Sequence, residues 1–125
     1  MIIHDGTNDI WGPNKRQTAS SEEIGNDLVD VGLKCRGAGI RQIYISGVPP
    51  TKLRATNDLA RQVNEHLRSF CNRRDDFTYI DNWFLANNIR ENLDRKERDL
   101  VHLSKLGQRR LCVNFGSVLR SSLLS

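Results

Sequence analysis

Met1-Ile2-Ile3-His4-Asp5-Gly6-Thr7-Asn8-Asp9 (MIIHDGTND) is the stretch on which the reading of the chain turns. Met1-Ile2-Ile3 is short, apolar and β-branched, which predicts a buried strand. His4 and Asp5 bring the chain toward water, and Gly6 permits a tight turn and the close approach of another group. Thr7, Asn8 and Asp9 then stand at the carboxyl end of that strand, where an open α/β sheet binds its ligands. Taken alone, G-x-N-D is an ordinary turn, because Gly, Asn and Asp tolerate unusual backbone angles and bond their own backbone. What gives it weight is a second stretch far downstream, Asp99-Leu100-Val101-His102.

Outward from this turn, Trp11 to Ala19 reads as a polar loop with Gly12 and Pro13. Ser20-Ser21-Glu22-Glu23 has the S-x-x-E spacing of a capping box, and Ile24, Leu28, Val31 and Cys35 follow at helical spacing on one face. Gly37-Ala38-Gly39 stops that helix. Ile40 to Ser46 is the second predicted strand, and Gly47-Val48-Pro49-Pro50 ends it, since proline has no amide to continue a ladder. Thr56-Asn57 is expected to cap a second helix with an apolar stripe of Leu59, Val63, Leu67, Phe70 and Cys71. Phe77-Thr78-Tyr79-Ile80 is the third strand, ended by Asp81-Asn82. A long loop through Trp83, Phe84 and the charged run Arg90–Asp99 follows. Ser104 is expected to cap a last helix carrying Leu106, Leu111, Phe115, Val118 and Leu119. This βαβαβα alternation implies a parallel sheet with right-handed crossovers. The strand ends then bring Asn8-Asp9, Ser46 and Asp81-Asn82 to one edge, to which the loop before the last helix can return Asp99 and His102.

Composition narrows the class. At 125 residues the chain is one domain, and 38% hydrophobic with 27% charged residues suits a globular protein. No apolar run approaches the ~20 residues of a membrane helix. Met1 leads into a strand without a basic leader region, so an intracellular protein is expected. The net charge of +4 comes from basic residues scattered among acids, as in Arg73-Arg74-Asp75-Asp76. That reads as a solvated surface and not as a nucleic-acid groove. Cys35, Cys71 and Cys112 are odd in number and lack C-x-x-C spacing, so neither a disulfide framework nor a metal site is expected.

Asp99 and His102 stand three apart, a spacing at which both side chains can share one side of a turn. A carboxylate on one imidazole nitrogen fixes the tautomer and favours the protonated ring, the arrangement of a general base in acyl transfer. An Asn at a strand end can donate to a developing oxyanion.

Gly6-Thr7-Asn8-Asp9 after an apolar strand, followed by Asp99-Leu100-Val101-His102 with Leu103 and Gly107 behind it, resembles the SGNH (GDSL-like) hydrolase family. The resemblance covers nearly the whole chain, as the C-terminal two-thirds of that domain. It implies a three-layer α/β/α, flavodoxin-like fold and the hydrolysis of esters, thioesters or acetyl groups without metal or other cofactor. Asn8 would be the oxyanion donor, His102 the base and Asp99 its orienting acid. The family's G-D-S serine and its second oxyanion donor, a glycine, both precede the G-x-N-D strand, and these residues contain neither. The expectation is therefore a partial domain, residues 1–125, lacking its N-terminal βαβ portion and inactive as given.

Ser46, the serine at a strand end, sits in Ile45-Ser46-Gly47-Val48, which is not a nucleophile elbow. Two function classes follow: an acyl-ester hydrolase domain acting on a small-molecule or glycan ester, or a degenerate, non-catalytic module that binds a ligand or protein at the same edge. A nucleic-acid binder fits poorly, because the basic residues are not interleaved with aromatics. The first strand, as an uncovered edge, invites a homodimer.

Overall fold

The structure is a computed structural model describing residues 1–4, 20–93 and 102–124. The Trp11–Ala19 loop, the Gly6–Asp9 turn with Asn8, Asp99 and most of the charged run Arg90–Asp99 lie outside the described residues. In chain order the elements are β1 (Ile2–Ile3), α1 (Ser21–Gly37), β2 (Ile43–Ser46), α2 (Arg54–Asn72), β3 (Phe77–Ile80), a 3-10 helix (Trp83–Asn88), α3 (Ile89–Asn92) and α4 (Lys105–Leu124). The fold is mixed α/β.

The three strands are parallel in the order β1-β2-β3, with Ile2 opposite Tyr44 and Ile3 opposite Ile45. Tyr44 in turn faces Thr78, and Ser46 faces Ile80. Side chains alternate across a sheet, so Ile3, Ile43, Ile45 and Phe77 share one face. They form the core with Ile24, Leu28 and Val29 of α1 and Ala60, Val63, Leu67 and Cys71 of α2. Two crossovers advancing in one direction leave both helices on the same side, as same-handed crossovers must. Tyr44 and Thr78 face the other way, toward α4, whose Ser117, Val118 and Ser121 line a cavity with Thr78. Helices on both faces of the sheet are compatible with a three-layer α/β/α arrangement.

Local chemistry sets most boundaries. The Ser20 hydroxyl accepts from the Glu23 amide at 3.1 Å, the first half of the expected capping box. Gly39, at φ +102°, makes the left-handed turn that ends α1. Three expectations need correction. Val31 does not join the buried stripe of α1 and is 48% exposed. The stripe continues instead through Gly32, whose missing side chain admits the Phe77 ring. Helix α2 starts at Arg54 rather than after a Thr56-Asn57 cap. Asn57 lies in its first turn and reaches back, accepting from the Thr51 amide at 2.7 Å and donating to the Thr51 carbonyl at 2.8 Å. The segment after β3 is not all loop. Asp81 caps it by accepting from the Trp83 amide at 2.9 Å, and the buried side chains of Leu85 and Leu93 anchor it.

Candidate functional site

The carboxyl edge of the sheet carries a chain of polar side chains. One residue beyond β1, His4 falls on the α4 face and meets Ser46, with 2.7 Å between Nδ1 and Oγ. The Asn82 amide donates to Ser46 Oγ at 2.6 Å and to the Gly47 carbonyl at 2.8 Å. Asn114 of α4 donates to Asn82 Oδ1 at 3.0 Å and to the Asp81 carbonyl at 2.7 Å. The His4 ring meets Phe115 edge-on, with centroids 5.7 Å apart. Three strand ends and one helix are thus joined by hydrogen bonds among side chains that the sequence separates by up to 110 positions. Ser46 and Asn82, each 1% exposed, form the buried centre.

Around this centre the backbone is held by other asparagines. Asn64 of α2 pairs with both backbone groups of Val48, donating to its carbonyl at 3.0 Å and accepting from its amide at 2.7 Å. This fixes the chain leaving β2 in place of a strand partner. Gly47 lies under the Tyr79 hydroxyl, in the space that a Cβ would occupy. Burial, then the Asp81 carboxylate, pushes the Tyr79 phenol well above its ordinary range, so it remains a neutral hydroxyl.

His102 is exposed, two residues ahead of Ser104. The Ser104 hydroxyl accepts from the Gly107 amide at 3.0 Å and donates to the Glu91 carbonyl, capping α4 as the sequence suggests. Leu103 pairs with Leu93 in an isolated antiparallel bridge, and the Ser104 amide donates to the Asn92 carbonyl at 2.8 Å. Arg110 of α4 donates to Asn92 Oδ1 at 2.6 Å. Helix α4 therefore runs antiparallel to β3: Asn114 meets the carboxyl end of the strand, and Ser121 lies beside Thr78. At 1.5 Å per residue, its start lies about 14 Å beyond Asn114, on the carboxyl side of the sheet. His102 is thus on the carboxyl side of the sheet, the side toward which β1 runs.

Ser46 and Asn82, both expected at this edge, are in contact. Asn8 and Asp99 lie outside the described residues, so their distances to His102 are outside the description too. The histidine bonded to Ser46 is His4, not His102. A hydroxyl next to an imidazole has the chemistry of a nucleophile and its base. At 1% exposure, and already accepting from Asn82, Ser46 is instead a buried structural hydroxyl. The sequence reading missed His4, Asn64 and Asn114 as members of this edge. The one available signal was period-two alternation, which puts His4 on the same face as Ile2.

Beside the network lies an open groove of about 340 Å³, lined by Phe84, Arg109, Arg110, Val113, Asn114 and Ser117. Among the described residues no three His, Cys, Asp or Glu side chains cluster as a metal site would. No helix among them is long and apolar enough to cross a membrane. No protein-family model matches the chain, and neither does any curated protein.

Proposed function

We propose that these residues belong to an SGNH-type acyl-ester hydrolase domain of flavodoxin-like fold. Asn8 is its oxyanion donor, His102 its general base and Asp99 the acid that orients the base. The observation that carries this reading is directional. β1 runs toward the carboxyl side of the parallel sheet, and α4 starts on that same side just after His102. This supports bringing the two motifs, some 90 residues apart in sequence, to one edge, the edge where open α/β sheets bind ligands. The substrate class is a small-molecule or glycan acyl ester, and the chemistry requires no metal.

The nucleophile must come from outside these 125 residues, because they contain no G-D-S. Ser46 is too buried to replace it. The buried, fully bonded Ser46 also favours a second reading, in which the edge binds a ligand or partner without catalysis.

The deciding measurement is hydrolysis of p-nitrophenyl acetate by the 125-residue chain and by the natural open reading frame that contains it. The chain alone should show no more than trace turnover. A frame supplying G-D-S should turn over, losing several orders of magnitude in His102→Ala and about a hundred- to a thousand-fold in Asn8→Ala. Near-normal rates in His102→Ala would overturn the assignment, as would robust turnover by the short chain that vanishes in Ser46→Ala. A frame without G-D-S and without turnover supports the binding module.

A further inference from the structure

We infer that Asn114, Asn82 and Ser46 form a one-way hydrogen-bond chain that fixes the tautomer of His4 and registers the amino-terminal strand against the helix that follows His102. These are positioning residues, and their role in catalysis rests on the hydrolase reading above. The clamp itself does not.

The direction of the chain follows from two carbonyls. The Asp81 carbonyl can only accept, so the Asn114 group 2.7 Å from it is the NH2. The Gly47 carbonyl likewise sets the Asn82 amide, since a flipped Asn82 would press oxygen against oxygen at 2.8 Å. Asn82 Oδ1 is then free to accept from Asn114, and its second N–H goes to Ser46 Oγ. Ser46 Oγ thus receives a hydrogen and must place its own. Among the described residues its remaining partner is His4 Nδ1, at 2.7 Å. Nδ1 is therefore the unprotonated nitrogen, and the ring proton sits on Nε2. The reverse tautomer would put a second donor on Ser46 and leave the hydroxyl proton of a residue 1% exposed without an acceptor.

The mechanical consequence concerns the two halves of the proposed site. His4 is two residues before Gly6 and four before Asn8. Asn114 lies on the helix whose first turn is capped just after His102. Strand β1 has two residues and pairs along one side with β2, which fixes its direction only weakly. A network in which every donor is used holds one geometry more firmly than its separate pairs would. The chain from Asn114 to His4 therefore aligns the exit of β1 with the start of α4, the alignment that an oxyanion donor and a base on separate loops require.

The test is 15N-edited NMR of this chain, comparing wild type with Ser46→Ala, Asn82→Ala and Asn114→Ala, and with Ser46→Thr, which restores a hydroxyl. In wild type at pH 8 the His4 proton should be on Nε2, with Nδ1 in the range of an unprotonated acceptor. Ser46→Ala and Asn82→Ala should shift the backbone amides of Gly6–Asp9 and of His102, leaving those of Ala38 and Gly39 at the opposite edge unchanged. Ser46→Thr should return the Gly6–Asp9 shifts toward wild type. A proton on Nδ1 overturns the inference, as do shifts confined to His4, Gly47, Asn82 and Asn114. If the buried substitutions fail to fold, half-buried Asn114→Ala carries the test by the same amides. None of these readings needs turnover. Intact NMR signatures with no hydrolysis in a G-D-S-containing frame would retain the clamp and discard the hydrolase reading, and the opposite pattern would discard the clamp alone.

Discussion

Asp76 ties the amino edge of the sheet together. Its carboxylate accepts from Arg36 of α1 at 2.9 Å and from Arg74 at 2.9 and 3.0 Å, and its carbonyl accepts from the Ile43 amide at 2.9 Å. The Arg74 and Arg36 hydrogen bonds hold this carboxyl well below the usual carboxylate range. A depressed carboxyl stabilises the fold above its unfolded value of about 3.9, and that contribution is lost as pH falls toward the folded value. Asp76→Asn should therefore melt lower than wild type at pH 7, and the gap should close as melts are taken down through pH 4 to pH 2. An equal gap at all pH values would show that the carboxylate charge is not what counts. Acid–base pairs such as Arg74 and Asp76 are visible in the sequence, because two positions apart they can meet within one turn. The asparagines are not. Asn64, Asn82, Asn92 and Asn114 bond backbone carbonyls 7 to 35 positions away, and nothing in a local window distinguishes them from surface amides. Cys71 was legible as a small hydrophobe on a helical stripe, and burial pushes its thiol up to about 11.

Helix α4 shows what one glycine does for an element. A Cβ at Gly107 would run into the Asn92 carbonyl, and this is backbone that cannot swing aside. The same carbonyl accepts from the Ser104 amide, so the close approach sets the start of the helix and with it the place of His102. Gly107→Ala should cost about 1–3 kcal/mol, the usual range for overpacking a tight contact. Urea melts can measure it, and a change within 0.5 kcal/mol of zero, roughly the noise of a neutral surface substitution, would mean that α4 shifts freely. The helices themselves were readable from periodicity and caps, Ser20 and Ser104 above all. Their rotation was less so. Val31 satisfies helical spacing as well as Gly32 does, but the Phe77 ring needs the smaller residue beneath it, and that contact is tertiary. The start of α2 was misplaced for a similar reason, because Asn57 bonds backward to Thr51 instead of opening the helix.

At the scale of the whole molecule the first strand, an edge of the sheet among the described residues, is the feature with consequences. β1 pairs with β2 along one side, and Met1 is 52% exposed. No second strand pairs with β1 among the described residues. Such an edge offers unpaired backbone groups to another chain. Gel filtration should find the 125-residue chain dimeric or larger, and its melt should lie below about 60 °C. A clean monomer melting cooperatively well above that would mean the edge is covered. What the sequence by itself determined is the alternation of strands and helices, hence a parallel sheet whose strands end at one edge. Burial periodicity, turn residues and caps are local properties, written within a few positions of one another. What only the tertiary structure decided is which polar groups meet at that edge. Ser46 could have faced His102, another ligand or solvent. It faces His4 and Asn82 because strand register and the docking of α4, set by contacts 32 to 42 residues apart, bring those side chains within hydrogen-bonding reach.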